Sequence, residues 1–168
     1  MNFAAVFPGQ GSQSLGMMSD LAESHPSIKD TFSESSEILS KDLWKIVTDG
    51  PEELLSQTET TQPLMLTAGV AVWRLWLAHG GAMPSAMAGH SLGEYSALVA
   101  SDAIDFPTAV ALVAKRSSLM QQAVPDGVGG MAAILGLTRA QVIEGCASTA
   151  GEQVVEAVNF NSPEQTVI

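Results

Sequence analysis

The sequence predicts an α/β chain, and three observations carry that prediction. Two short apolar runs, residues 3–7 and 86–90, each end in a glycine-bearing turn, with long helical patterns between and after them. A Gly-x-Ser-x-Gly sequence, Gly89-His90-Ser91-Leu92-Gly93, falls where the second run gives way to a helical pattern. Beyond a Pro- and Gly-rich segment at 125–130 the rhythm changes to strand, helix, strand, strand.

Residues 3–7 are apolar throughout and break at Pro8-Gly9-Gln10-Gly11-Ser12, so they read as a short buried strand entering a glycine-rich loop. Across 26–39, Ile28, Phe32, Ile38 and Leu39 recur at mostly helical spacing, and Pro26 suits a first turn. Leu43, Ile46 and Val47 indicate a further short helix, stopped by Gly50-Pro51. The longest apolar stretch, 61–79, puts Leu66, Val70, Trp73 and Leu77 on one face, and Leu64 and Trp76 broaden it. Apolar residues on more than one side mean a largely buried helix, and Gly80-Gly81 ends it. Residues 86–90 read as a strand and 92–101 as a helix. Asp105 with Pro107 opens another helix through Ala109, Leu112, Val113 and Met120. Three glycines and a proline at 125–130 suit a linker, so two domains are expected, 1–126 and 127–168. In the second, 131–135 reads as a strand and Thr138-Arg139-Ala140-Gln141 as a capping box. Residues 154–158 and 166–168 read as strands joined by Asn159-Phe160-Asn161-Ser162-Pro163. An apolar strand at the very end carries the expectation that the chain belongs to a longer one.

The 168 residues hold 7 Lys+Arg against 18 Asp+Glu, a net charge of −11. No cluster of cations forms a phosphate-tracking stripe, which excludes a nucleic-acid reader. The apolar fraction, 46%, excludes a disordered chain. The lone Cys146 excludes a disulfide framework or a cysteine zinc site, so no metal is expected. The longest charge-free run, 75–93, carries Gly80, Gly81, Pro84 and Gly89 and does not read as a spanning helix. A soluble, cytoplasmic protein away from membranes is expected.

A strand–Gly-x-Ser-x-Gly–helix arrangement is the context of a nucleophile elbow, which holds a serine at the top of a sheet near a helix amino terminus. Ser91 is thus the candidate nucleophile, and the Leu92 N–H the natural first oxyanion donor. The loop 8–13 lacks the third glycine of a dinucleotide fingerprint, because position 14 is serine, and has no phosphate-loop lysine. It reads either as an ordinary turn or as the source of a second oxyanion donor. Arg116, within Lys115-Arg116-Ser117-Ser118, reads from spacing as a solvated helix edge, and otherwise as a bidentate carboxylate clamp. A serine nucleophile needs a base, usually histidine. His25, His79 and His90 are the three available, and none follows residue 90, whereas elbow hydrolases place the histidine after the serine.

Residues 7–13, Phe-Pro-Gly-Gln-Gly-Ser-Gln, then Gly89-His90-Ser91-Leu92-Gly93-Glu94-Tyr95-Ser96-Ala97, then Asn159-Phe160-Asn161-Ser162-Pro163, occur in this order and spacing in one family. The sequence resembles the malonyl-CoA:acyl carrier protein transacylases of bacterial type II fatty acid synthesis, relatives of polyketide synthase acyltransferase domains. The resemblance implies an α/β-hydrolase-like larger subdomain and a partial ferredoxin-like smaller one, the chain being about half the family length. It implies that Ser91 takes malonyl as an ester, that the backbone amides of Gln10 and Leu92 form the oxyanion hole, and that Arg116 pairs with the malonyl carboxylate. Met120 and Met131 are similar to apolar lining positions of the family, with core packing as the equal alternative. Malonyl-CoA is then a substrate and acyl carrier protein the partner, with no cofactor and a monomer expected. Lys115 with Arg116, or Lys41 with Lys45, would mark the carrier's docking edge. The family's catalytic histidine has no counterpart here. Two alternatives share the elbow: a serine esterase or thioesterase, and an inactive carrier-binding fragment.

Overall fold

Strand β1 (Ala4–Phe7) opens the chain and pairs in parallel with β2 (Ala86–Gly89), in a register that sets Ala4 beside Ala86 and Phe7 beside Gly89. The computed structural model describes residues 2–124 and 127–168. Pro125 and Asp126 of the expected linker lie outside the described residues. The chain divides into two units, Met1–Ala123 and Val124–Ile168.

In the first unit, helices α1 (Ser19–Ser24), α2 (Ser27–Leu39), α3 (Leu43–Asp49), α4 (Glu52–Leu55) and α5 (Thr58–Ala78) separate the two strands. Helices α6 (Gly93–Ala100) and α7 (Phe106–Ala123) follow. The two shortest, α1 and α4, carry too little periodicity to be read from the sequence. Helix α5 feeds three apolar clusters. Leu64, Ala68 and Ala71 pack with Ile28, Phe32 and Val47. Met65, Leu66 and Val70 meet Leu92, Phe106, Val110 and Val113. Trp73 lies against Phe7, Ala97 and Ala100, its ring edge-on to that of Phe7. That is why α5 is apolar on several sides, as its sequence indicates. It begins three residues before the expected start, so Pro63 lies inside it. Gly80 and Gly81 end it by donating to the Leu77 and Trp76 carbonyls at 2.9 Å each, the Schellman arrangement, with Gly80 at a φ of 74°.

The expected burial of β1 holds on one face only. Phe7 is buried, but Val6 is 74% exposed.

In the second unit, β3 (Ala133–Leu135), α8 (Arg139–Thr149), β4 (Asn159–Ser162) and β5 (Gln165–Val167) form an antiparallel sheet of order β3-β5-β4 with one helix. The Thr138/Gln141 capping box is present, and Val142 and Cys146 are the buried residues of α8. One expectation is corrected. Residues 154–158 form no strand, and the segment expected to be a connecting loop, from Asn159, is β4 itself. A two-residue turn at Pro163-Glu164 places Ser162 opposite Gln165, and Asn161 is the extra residue of a register shift. The ladder starts only where Val158 donates to the Val167 carbonyl at 2.8 Å. The Arg139 guanidinium lies 3.8 Å over the Phe160 ring, covering β4 from α8.

No described helix is long and apolar enough to cross a membrane.

Asp105 starts α7: its carboxylate accepts the Thr108 N–H and hydroxyl, each at 2.8 Å. These two bonds hold its carboxyl below the usual aspartate range. A depressed acid stabilises the fold above its unfolded pKa, about 3.9, and that contribution is lost as pH falls through the lower folded value. Urea midpoints of the wild type and Asp105→Ala are therefore expected to differ at pH 6 and to converge as the pH is taken down past the unfolded and then the lower folded pKa.

Candidate active site

Because β1 and β2 run parallel with Phe7 beside Gly89, the loops that leave them emerge at the same sheet edge. Ligands of open α/β sheets collect at this carboxyl edge. The loop after β2 is the tight turn expected of an elbow. Gly93 N–H donates to the His90 carbonyl at 2.9 Å and Glu94 N–H to the Ser91 carbonyl at 3.1 Å. Ser91 is held at a φ of 51°, in the left-handed region that a non-glycine residue enters only under constraint.

The flanking glycines are sterically required. A Cβ on Gly89 would fall on the Gly93 carbonyl and the Glu94 nitrogen, and one on Gly93 would fall on the Phe7 carbonyl oxygen. Gly9 is also close, since a Cβ there would sit 2.5 Å from the His90 carbonyl oxygen. The Pro8-Gly9 segment therefore passes directly against the elbow. The Leu92 side chain is buried among Met65, Val110 and Val113 and pins the turn to the helices. Among the described residues, neither the Leu92 nor the Gln10 N–H has an acceptor within the chain. Gly11 N–H, by contrast, is taken by Gln13 Oε1 at 2.8 Å.

Ser91 is exposed, and its Oγ accepts from Arg116 Nη2 at 3.0 Å. Arg116 projects from α7, with its guanidinium 5.8 Å over the Tyr95 ring and Nη1 donating to Gln62 Oε1 at 2.5 Å. Gln62 also donates from Nε2 to Gln10 Oε1 at 3.4 Å and to Met120 Sδ at 3.3 Å. Gln10 donates in turn to Thr58 Oγ1 at 3.2 Å. Of the expected site residues, Ser91, Arg116, Gln10 and Leu92 are thus brought together, with Met120 beside them. Arg116 is no solvated edge, being partly buried and bonded on two nitrogens. Met131 belongs to the second unit and is exposed there. Lys115 and Lys45 are exposed. Lys41 instead donates to Thr60 Oγ1 at 2.6 Å, and burial lowers its pKa.

Gln62 is absent from the sequence reading, and Tyr95 enters it only as a letter of the motif after Ser91, with no role assigned. Gln62 sits on the helix that forms the core and carries no motif; its only signal is an amide directly before Pro63, in a segment that turns apolar from Leu64. Among the described residues the one ion pair is Arg74–Glu34, at 2.6 Å, so Arg116 has no carboxylate partner there. Neither His25 nor His79 can serve Ser91. His79 closes α5, about 25 Å along the helix from Gln62 at 1.5 Å per residue, and the His25 ring packs 4.9 Å from that of His79. His90 Nδ1 lies against Gly9.

A serine held at a strained turn, two backbone N–H groups without acceptors and an arginine without a carboxylate partner among the described residues thus meet at one sheet edge. The chain belongs to the acyl transferase domain family, whose model matches residues 5–168. It is 55% identical over 166 residues to the malonyl CoA-acyl carrier protein transacylase of Salmonella typhimurium, covering 99% of this chain and 54% of that protein. The solved structure of the malonyl CoA-acyl carrier protein transacylase from Coxiella burnetii superposes with a TM-score of 0.97 at 52% identity, again over 99% of this chain and 53% of the other. A type II polyketide synthase acyl-carrier protein in complex with its malonyl-transacylase gives 0.96 at 54% identity, over 99% of this chain and 54% of that one. The chain spans about half the length of the curated relatives it matches.

Gly93→Ala is expected to lower stability by about 3 kcal/mol or more, the range of a backbone clash that cannot relax. Gly145→Ala, whose Cβ meets nothing within 4 Å on α8, is expected to be neutral or mildly stabilising. Denaturant midpoints of the two variants against wild type check both.

Proposed function

We propose that this chain carries the serine portion of the active site of a malonyltransferase, which moves malonyl from malonyl-CoA to the phosphopantetheine thiol of acyl carrier protein in fatty acid biosynthesis. The observation that carries the reading is Arg116: a partly buried cation, without a carboxylate partner among the described residues, bonded to the Oγ of the elbow serine. The names of the relatives support it.

In this reading the malonyl carboxylate takes the Arg116 donors, a charge-assisted pairing that the planar guanidinium suits. An acyl group without a carboxylate leaves that cation unpaired and is disfavoured. Carboxylate binding draws Nη2 from Ser91 Oγ, which attacks the thioester carbon. The new C–O bond forms, the developing oxyanion is received by the N–H groups of Gln10 and Leu92, and the C–S bond breaks as coenzyme A leaves with the proton. The carrier's thiol then takes the malonyl group from Ser91 by the reverse exchange. The base that shuttles the proton has no counterpart among His25, His79 and His90. No cofactor enters these steps.

The first unit corresponds in this reading to the α/β-hydrolase-like subdomain and the second to the start of a ferredoxin-like one, in a cytoplasmic monomer. Exposed Lys115, beside Arg116, is the candidate docking edge for an acidic carrier.

Intact-protein mass spectrometry after mixing with malonyl-CoA tests the first half-reaction. A malonyl adduct is expected on the wild-type chain and none on Ser91→Ala. Arg116→Ala is expected to slow adduct formation about 10- to 100-fold, the value of a lost charge-assisted bond. No adduct on a folded wild-type chain, or unchanged malonylation in Arg116→Ala, would sink the proposal.

A further inference from the structure

Arginine can only donate hydrogen bonds, and this gives the polar chain through the site a direction. Arg116 Nη1 meets the Gln62 carboxamide at 2.5 Å, so the Gln62 oxygen must face Arg116 and its nitrogen must face away. That nitrogen lies 3.4 Å from the Gln10 carboxamide, so Gln10 must present its oxygen to Gln62. The Gln10 nitrogen is then left to donate, and it does so to Thr58 Oγ1 at 3.2 Å. One cation on α7 thus sets the orientation of two amides and reaches the loop after β1.

Gln62 is the element of this chain that solvent cannot replace. It is 1% exposed, whereas Gln10 and Ser91 are exposed. Water can exchange with the partners of Gln10 but not with the bond between Gln62 and Arg116. The two nitrogens of Arg116 also differ. Nη2 rests on the exposed, neutral Ser91 hydroxyl, which an incoming carboxylate displaces, whereas Nη1 is held at the buried carboxamide throughout.

We infer that Gln62 is a positioning residue that couples the Arg116 clamp to Gln10, so that recognition of the substrate's carboxylate and placement of the oxyanion-binding loop are set together. This inference deepens the malonyltransferase reading and rests on it for its consequence in acyl transfer.

The test has two arms. The first needs no substrate: the side-chain amide resonances of Gln10 are followed by 15N–1H NMR in wild type, Gln62→Met and Arg116→Met. The Gln10 pair is expected to move in both variants, with the rest of the first unit unchanged. A Gln10 pair that stays in place in either variant would overturn the coupling. The second arm measures malonyl-adduct formation on Ser91. Gln62→Met is expected to slow it about 10- to 100-fold in the wild-type background, through the apparent KM, and by less than about threefold in the Arg116→Met background. An equal loss in both backgrounds would mean a merely structural role and overturn the inference. Gln62→Glu serves if the methionine variant does not fold. Its own carboxylate occupies Arg116, so malonylation is expected to fall at least about tenfold with the fold intact, and unchanged malonylation would count against the inference. If the folded wild type forms no adduct, the malonyltransferase reading fails and the NMR arm alone decides the coupling.

Discussion

Where a side chain on residue 93 would have to go, the carbonyl oxygens of Phe7 and Pro8 already lie. That close approach governs the rest of the site. It exists because β1 and β2 pair with Phe7 beside Gly89, which delivers both loops to one edge. It forces glycine at 93, while the tight turn itself forces glycine at 89, and on the other side Gly9 lies against His90. The buried Leu92 then ties the turn to α5 and α7, the helices that supply Gln62 and Arg116. Displacing the two strands by one register step would separate the serine from the loop that bears Gln10.

The electrostatic character of the site runs against that of the chain. With eighteen acidic residues available to seven cations, Arg116 still has no carboxylate among the described residues. Its surroundings are neutral instead: a carboxamide, a hydroxyl and an aromatic face. These groups orient a guanidinium without neutralising it, so its charge stays available to an anionic ligand. Arg74 makes the contrast, since its Nη1 pairs with the Glu34 carboxylate at 2.6 Å.

Much of this was legible in the sequence because it is local. The glycine punctuation of both loops, the Schellman end of α5, the Asp105 start of α7 and the Thr138 capping box each need only a few neighbouring residues to be recognised. Ser91 and Leu92 followed from the elbow. Arg116 did not follow from spacing, since a helix edge and a clamp look alike until the fold decides what faces the side chain; the family resemblance singled it out. Gln62 was invisible because its significance lies in partners on the β1 loop and on α7, far away in sequence. The strand misplaced to 154–158 shows the same limit. Those residues have the better β propensity, yet pairing with β5 and the turn at Pro163-Glu164 put the ladder on Asn159–Ser162.

The pairing of Ala4 with Ala86 has a kinetic side. The five helices between the strands form from contacts close in sequence, whereas the sheet must close a loop that contains all of them. Loop closure of that length is paid in entropy before any strand contact repays it. The elbow geometry therefore arrives late in folding, after the helical layer has drawn the two ends together. During synthesis β1 leaves the ribosome well before β2, and their pairing must wait until Gly89 emerges, so an assembled Ser91 turn reports that the long loop between the strands has closed.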